Sequence, residues 1–307
     1  MNIPGVRLTA CAKINWTLEV TGRRADGYHN IRTVLQTIGL ADTVSLNPST
    51  EARFTQEVPS GWSVPDEPEN LAGRAVRLYA GRGEHLPTAL RLVKRVPPAA
   101  GLGGGSSDAA AVLRGLDRLA ARPIGRTALE QAGAELGSDV AFFTGGGTQL
   151  AGGRGEQLTP LPDAVPCWLV LVTPPIVLAQ KTARLYGLME QRHFSDGSRS
   201  EALAQAIGAG APVVAEALVN GFDAVADRVF AGLGGYRALL SDRCGHALLC
   251  GAGPSLFAIA ASDADARRAA ADLRASGVPA TAVRTETAAA STRIESMNQC
   301  AEHDILA

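Results

Sequence analysis

Between an apolar run ending at Val96 and a stretch of alanines beginning at Ala109 lies Pro97-Pro98-Ala99-Ala100-Gly101-Leu102-Gly103-Gly104-Gly105-Ser106-Ser107-Asp108. No other segment constrains the fold as strongly. The prolines end a strand expected over residues 90–96, and the alanines and leucines of residues 108–121 predict a helix. Glycine lets successive backbone N–H groups converge without a Cβ between them, and a helix start adds a favourable dipole. A strand, glycine loop and helix in that order therefore make a cradle for an anion, with polyphosphate as the natural guest. The plainer reading is a linker or a helix cap, since Ser and Asp cap helices in any setting; the flanking strand and helix argue against it. Two known phosphate designs do not apply. No Lys follows the glycines as a Walker A loop requires. The GxGxxG spacing of a dinucleotide site is incomplete at residues 101–106 and again at 251–256.

The rest of the chain supplies a mixed scaffold. Val6, Leu8, Ala10, Ala12, Ile14, Trp16, Leu18 and Val20 alternate, the period of a half-buried strand, and Asp26-Gly27 predicts a turn after it. Strands are expected at residues 31–40, 43–46, 168–172, 247–250, 256–260 and 280–284. Helices are expected at 70–82, 129–136, 213–219, 222–233 and 265–276. Residues 196–212, rich in Ser, Gly and Ala, read as a surface connection. A chain of 307 residues exceeds the size at which one core stops growing, and prolines gather at 160–166. The expected organisation is α+β in two domains, residues 1–160 and 161–285, followed by a weakly packed tail over 286–307.

Composition excludes other classes. Lys and Arg number 29 against 30 Asp and Glu, so no overall field draws the chain to nucleic acid or to an anionic membrane. Cys11, Cys167, Cys244, Cys250 and Cys300 are scattered without CxxC or zinc-ligand spacing, which suits reduced thiols. No run reaches the ~20 apolar residues of a membrane helix, and residues 1–16 do not read as a signal peptide. A cytoplasmic location is expected. His85, His193, His246 and His303 have no partners at telling spacings and read as surface or structural residues.

Three motifs together carry a resemblance. Ala12-Lys13-Ile14-Asn15, the loop at 97–108, and Gly251-Ala252-Gly253-Pro254 resemble the motifs of the GHMP kinases, the superfamily of galactokinase, homoserine kinase, mevalonate kinase and phosphomevalonate kinase. Arg24-Ala25-Asp26-Gly27-Tyr28-His29, the triple glycine at 103–105 and Gly137-Ser138-Asp139-Val140 resemble the branch whose acceptor is a cytidine diphosphate-linked methylerythritol in non-mevalonate isoprenoid synthesis. The third motif departs from the family pattern at Cys250 and Ala252, which leaves its backbone rather than its side chains for the phosphates.

The resemblance implies an ATP-dependent kinase of the two-domain GHMP architecture, with its site in the cleft between domains. Lys13 and Asp139 are implied as the catalytic pair. Asp139 would accept the hydroxyl proton, while Lys13 would stabilise negative charge on the carboxylate and the transferring group. From the residues alone, Lys13 fits equally a solvated lysine on a strand's outer face, and Asp139 a helix cap. Pro97, Pro98, Ala99, Ala100, Gly101, Leu102, Gly103, Gly104, Gly105, Ser106 and Ser107 are implied to wrap the phosphates, with Asn70 and Lys94 near the base and outer edge. Mg2+ is expected with ATP, with Ser107 or Asp108 as its partner. Tyr28 and Tyr186 are candidate walls of a slot for the cytosine ring, and His29 with Asn15 would bond its edge or nearby oxygens. Tyr186 also fits a core position beside Leu185 and Leu188. The implied partner is a small-molecule substrate, with no nucleic acid or membrane and no required oligomer. Two other readings share the loop: a kinase with a homoserine- or mevalonate-type acceptor, and a non-catalytic GHMP-fold regulator.

Overall fold

The structure, a computed structural model, describes residues 4–82 and 87–297, so His85, Cys300, His303 and the last part of the expected tail lie outside the described residues. Strand β1 (Val6–Arg23) pairs antiparallel with β2 (His29–Pro48) to form a long hairpin, and the first sheet grows around it. β3 (Arg53–Glu57), β4 (Thr88–Val93), β5 (Thr148–Gly152) and β6 (Gln157–Pro160) extend that sheet. The chain then opens a second sheet with β7 (Trp168–Val172) and returns with β8 (Val219–Asn220), which lies parallel to β1. β9 (Leu248–Leu249), β10 (Leu256–Ala260) and β11 (Ala280–Arg284) complete the second sheet in the order β11-β7-β10-β9. Finally β12 (Ile294–Ser296) comes back to pair with β1. The two halves are thus tied together three times by backbone or core.

Helices α1 (Leu71–Ala80), α2 (Gly104–Leu119), α3 (Arg126–Leu136) and α4 (Ser138–Gly145) share one core with the first sheet, in which Ala109 to Leu113 of α2 meet Leu8, Val44 and Leu92. α5 (Lys181–Leu188), α7 (Asp223–Val229), α8 (Leu233–Cys244) and α9 (Asp263–Ala275) pack with the second sheet, while α6 (Ser198–Gly208) belongs to a middle core between the sheets. α10 (Ala288–Ser291) precedes β12. Trp16 lies in that middle core, edge-on to Phe257 with centroids 5.7 Å apart.

Several expectations change. β1 alternates only over its first five residues; from Ala10 to Val20 every position is buried. The second half of the chain covers the face that a lone hairpin would leave wet, and this buries Lys13. The two strands expected at 31–40 and 43–46 are one strand bent past a register shift. Residues 198–208 form a helix whose Leu203, Ala204 and Ile207 enter the core, so the expected surface connection is wrong there. The helix expected at 213–219 is a single 3-10 turn at Ala215–Ala217 running into β8. The helix expected at 222–233 is broken at Phe230 and Gly232, where Gly232 adopts φ +82°. The apolar run at 140–143 lies in α4. The expected weak packing of the tail is overturned for residues 286–297, which carry α10 and β12, because the Gln36 amide and the Thr37 hydroxyl both donate to the carbonyl of Glu286.

Candidate active site

Helix α2 begins at Gly104, four residues before the expected start, so Gly103 is its cap and Gly104, Gly105 and both serines form its first turn. The orphan amides that every helix start leaves are here carried by residues with little or no side chain in the way. Gly103, the residue before the helix, has φ +73°, and a Cβ there would meet the Phe143 ring at 2.8 Å. Gly101 has φ +87°, and a Cβ would sit 2.2 Å from the Cys250 carbonyl oxygen. The first position lets α2 lie against α4; the second lets the loop touch the third motif. Ser255 N–H donates to Ala100 O at 3.2 Å across the same seam. Cys250 is fully buried and burial pushes its thiol up, so the third motif meets the loop through backbone.

Beneath the loop lie Lys13 and Asp139, the two residues that the resemblance implied as a pair. The Lys13 amide donates to Leu102 O at 2.9 Å, fastening β1 to the loop, and a register shift just before it re-aims the strand. Lys13 Nζ lies 4.0 Å from Asp139 Oδ2 and donates to Asn15 Oδ1 at 2.8 Å. Asp139 stands in the first turn of α4, where the helix dipole favours a carboxylate, and its side chain is 44% exposed. A buried cation beside an accessible carboxylate suits proton transfer at a bound hydroxyl. Asn15 differs from expectation. Its oxygen holds Lys13 and its nitrogen donates to Thr33 Oγ1 at 2.7 Å, so both ends orient the lysine rather than face a pyrimidine.

The loop borders a cavity of about 290 Å³, lined by Val64, Pro65, Asn70, Lys94, Gly103 and Asp108 among others. Asn70 and Lys94 are here, yet their polar atoms are engaged by the protein. Asn70 caps α1 by accepting from Ala72 N–H at 3.0 Å and donates to Pro65 O at 2.9 Å. Lys94 Nζ is bound by Asp42 and, at 2.6 Å, by Asp108. Burial opposes its charge, but Asp108 and Asp42 outweigh burial and hold the ammonium above its ordinary value. Burial, reinforced by Asp42 and opposed by Lys94, pushes Asp108 well above the usual carboxylate range. These three side chains brace α2 against the end of β4. Asp108 Oδ1 is buried without a hydrogen-bond partner in the structure, an acceptor that suits a divalent cation or its water, whereas Ser107 is buried in the helix. Among the described residues no His, Cys, Asp and Glu cluster forms a metal cage, so a cation here would rest largely on the nucleotide's phosphates.

An aromatic group stands at the hairpin's open end. His29 stacks on Tyr186 of α5 with centroids 4.6 Å apart and rings 12° from parallel, and meets the edge of Phe194 at 5.9 Å. Burial, with Arg23 nearby, lowers the His29 pKa and favours the neutral imidazole, which both donates and accepts. Tyr28 is 57% exposed with the Arg154 guanidinium 4.2 Å above its ring. The expected pairing of Tyr28 with Tyr186 is therefore altered, because one face of Tyr186 is already covered by His29 and its edge by Phe222. Tyr28 is the exposed aromatic of the group.

Sequence reasoning missed Thr33, Arg154 and Lys181. Lys181, the first residue of α5, donates to the carbonyl of Gly253, and burial together with Lys13 lowers its pKa to about 8. Nothing in its local sequence marks it, since its neighbours arrive from distant segments. Size does not select this region either. Larger concavities of about 810 Å³ beside Asp242 and Asp272, and about 730 Å³ beside Arg114 and Arg118, are lined by neither Lys13 nor Asp139.

Comparison with known proteins agrees with this geometry. Residues 70–147 match the GHMP kinases N terminal domain and residues 200–279 the GHMP kinases C terminal domain. The 4-diphosphocytidyl-2-C-methyl-D-erythritol kinase of Dehalococcoides mccartyi is 39% identical over 82% of this chain and 88% of that protein. The enzyme of the same name from Moorella thermoacetica is 39% identical over 87% and 94%. A crystal structure of 4-(cytidine 5'-diphospho)-2C-methyl-D-erythritol kinase superposes with a TM-score of 0.75 at 34% identity, covering 91% of this chain and 98% of that one. With both domains matched and the likeness running nearly end to end, the chain belongs to the 4-diphosphocytidyl-2-C-methyl-D-erythritol kinase family of the GHMP kinases.

Proposed function

We propose that the protein transfers the γ-phosphoryl group of ATP to the 2-hydroxyl of 4-diphosphocytidyl-2-C-methyl-D-erythritol, a step in non-mevalonate isoprenoid precursor synthesis. The observation that carries the reading is the Lys13–Asp139 pair, 4.0 Å apart beside the glycine-rich start of α2. Residues 97–107 wrap the phosphates, with the backbone amides after Pro98 as the donors. Asp139 takes the hydroxyl proton as the new P–O bond forms and the bond to ADP breaks, while Lys13, steadied by Asn15, offsets the charge on the transferring group. Asp108 Oδ1, buried without a hydrogen-bond partner, would help hold Mg2+, which would supply neutralisation of the phosphate charge. The buried Lys94–Asp42 contact keeps Asp108 in register beneath the loop.

The acceptor's cytosine is assigned to the Tyr28 face, with neutral His29 bonding its edge and Tyr186 holding the imidazole flat. Stacking of a base on an aromatic ring contributes ~1–3 kcal/mol. Tyr28→Ala is expected to raise the acceptor KM about tenfold or more, leaving the ATP KM within about twofold. Equal changes in both constants would remove Tyr28 from the acceptor site.

The inferred compartment is the cytoplasm, supported by the unpaired Cys11, Cys167, Cys244 and Cys250; among the described residues no helix is long and apolar enough to cross a membrane. A coupled ADP-release assay over a panel of alcohols tests the function. Turnover with the cytidyl compound and none with homoserine or mevalonate is expected. Preference for either of those would reassign the acceptor, and no turnover with any alcohol would favour a ligand-binding regulator.

A further inference from the structure

Two ammonium groups, Lys13 and Lys181, feel each other and the Asp139 carboxylate where the glycine loops touch, and only Lys13 pairs with that carboxylate. Lys181 Nζ donates to Gly253 O in the third motif, and a Cβ on Gly251 of that motif would lie 2.8 Å from Lys13 Nζ. The charged or titratable groups that act on Lys181 are Lys13 from β1, Asp139 from α4 and Cys250 from the loop after β9. Cys250 is held as a neutral thiol by burial. Lys13 and Lys181 are bonded to a neutral amide and a neutral carbonyl, and the one carboxylate that acts on both, Asp139, pairs only with Lys13 and is 44% exposed. The protein thus leaves one positive charge uncompensated in a buried setting, an arrangement that costs stability unless an anion joins it.

We propose that Lys181 is a second phosphoryl-binding cation, which exchanges the Gly253 carbonyl for an oxygen of the transferring group. This rests on the kinase reading above. Tyr186 lies five residues further along α5, about 7.5 Å on the helix axis, so Lys181 sits on the catalytic side of the aromatic group that receives the acceptor's base. Its charged neighbours are both members of the catalytic pair, which points to the group in flight rather than the acceptor's diphosphate. Gln180, immediately before it, adopts φ +54°, so the chain turns sharply to start α5 at this lysine.

Steady-state kinetics of the full-length protein with ATP and the cytidyl acceptor test the assignment. Lys181→Gln is expected to lower kcat about a hundredfold, with both KM values within about threefold. Lys181→Arg should recover most of the loss. The protonated form is the active one, so wild-type kcat/KM falls as pH rises through about 8, and Lys181→Arg lacks that fall. The thermal midpoint of Lys181→Gln should equal or exceed the wild type's, since a repulsion with Lys13 is relieved. A lower midpoint with unchanged kcat would make the lysine structural and overturn the proposal. An acceptor KM that rises alone would overturn it in favour of the diphosphate. Binding of ADP with fluoroaluminate, a mimic of the transferring group, separates this from the acceptor assignment. Lys181→Gln should weaken that complex about tenfold or more while ADP alone binds as before. If both bind as in the wild type, the proposal fails whichever alcohol proves to be the substrate.

Discussion

Asp139→Asn is expected to lower kcat by ~10²–10⁴-fold, the usual contribution of a positioned general base. The substitution keeps the shape of the side chain and removes its capacity to take a proton. Asn15 still accepts from Lys13 at 2.8 Å, so the buried ammonium keeps its hydrogen bond although it loses its ion-pair partner. The glycine-rich loop proposed for ATP is untouched, because Gly103 contacts α4 through the Phe143 ring and not through Asp139. Nucleotide affinity measured by titration should therefore stay within about threefold, since binding and chemistry separate when a group acts on the reaction alone. A variant that turns over at more than about a tenth of the wild-type rate would remove Asp139 as the base.

Lys94→Met should produce the largest loss of stability, about 3–5 kcal/mol, because it strands carboxylates at the centre of a network closed to water. Asp42 and Asp108 are each about 1% exposed or less and share this one ammonium. Methionine fills a similar volume, so the effect reads charge rather than packing. The pH dependence carries a definite sign. Asp108 already lies well above its ordinary range, chiefly through burial, and losing Lys94 removes a cause that opposes this rise. A folded state that binds more protons than the unfolded one loses stability as pH rises. The deficit of Lys94→Met should thus be larger at pH 8 than at pH 5 when urea unfolding is followed by circular dichroism. A deficit that does not depend on pH, or one under about 1 kcal/mol, would show that the triad is not the brace described. Loss of the brace should also weaken ATP binding, since Asp108 belongs to the helix whose first turn forms the phosphate cradle.

These two residues show how differently sequence and structure inform the site. The loop at 97–107 was legible in the chain because its residue types match a local conformation, glycines before alanines for an anion-binding helix start, whereas Lys13 and Asp139 stood out only through the resemblance their motifs carry. Lys94 was equally visible, but its role was not. Its partners, Asp42 and Asp108, lie 52 and 14 residues away, and a lysine's spacing does not reveal whether its charge meets solvent or two carboxylates. The aromatic group is intermediate. Tyr28 and His29 follow a strong turn signal, whereas the stacking of His29 on Tyr186 brings together segments 157 residues apart, a separation that is simply 186 less 29.

Secondary structure failed where burial overrode pattern. β1 reads as a strand with one wet face, and would be so if the hairpin stood alone; segments of the second half cover it, Ser200 lying on Glu19 and Gly251 against Lys13 and Asn15. Residues 198–208 read as a connection because small residues dominate, yet Leu203 and Ile207 suffice to anchor a helix once a core exists to receive them.

The order of residues alone determined the glycine-rich helix start and the mixed α/β character, because each depends on conformational preferences that act over a few neighbours, while Lys13 and Asp139 were singled out only through the resemblance their motifs carry. Tertiary structure decided which charges lie buried, which amides remain available and where Lys181 stands. Those outcomes depend on desolvation and Coulomb interaction between groups that meet only after the two sheets close around β1.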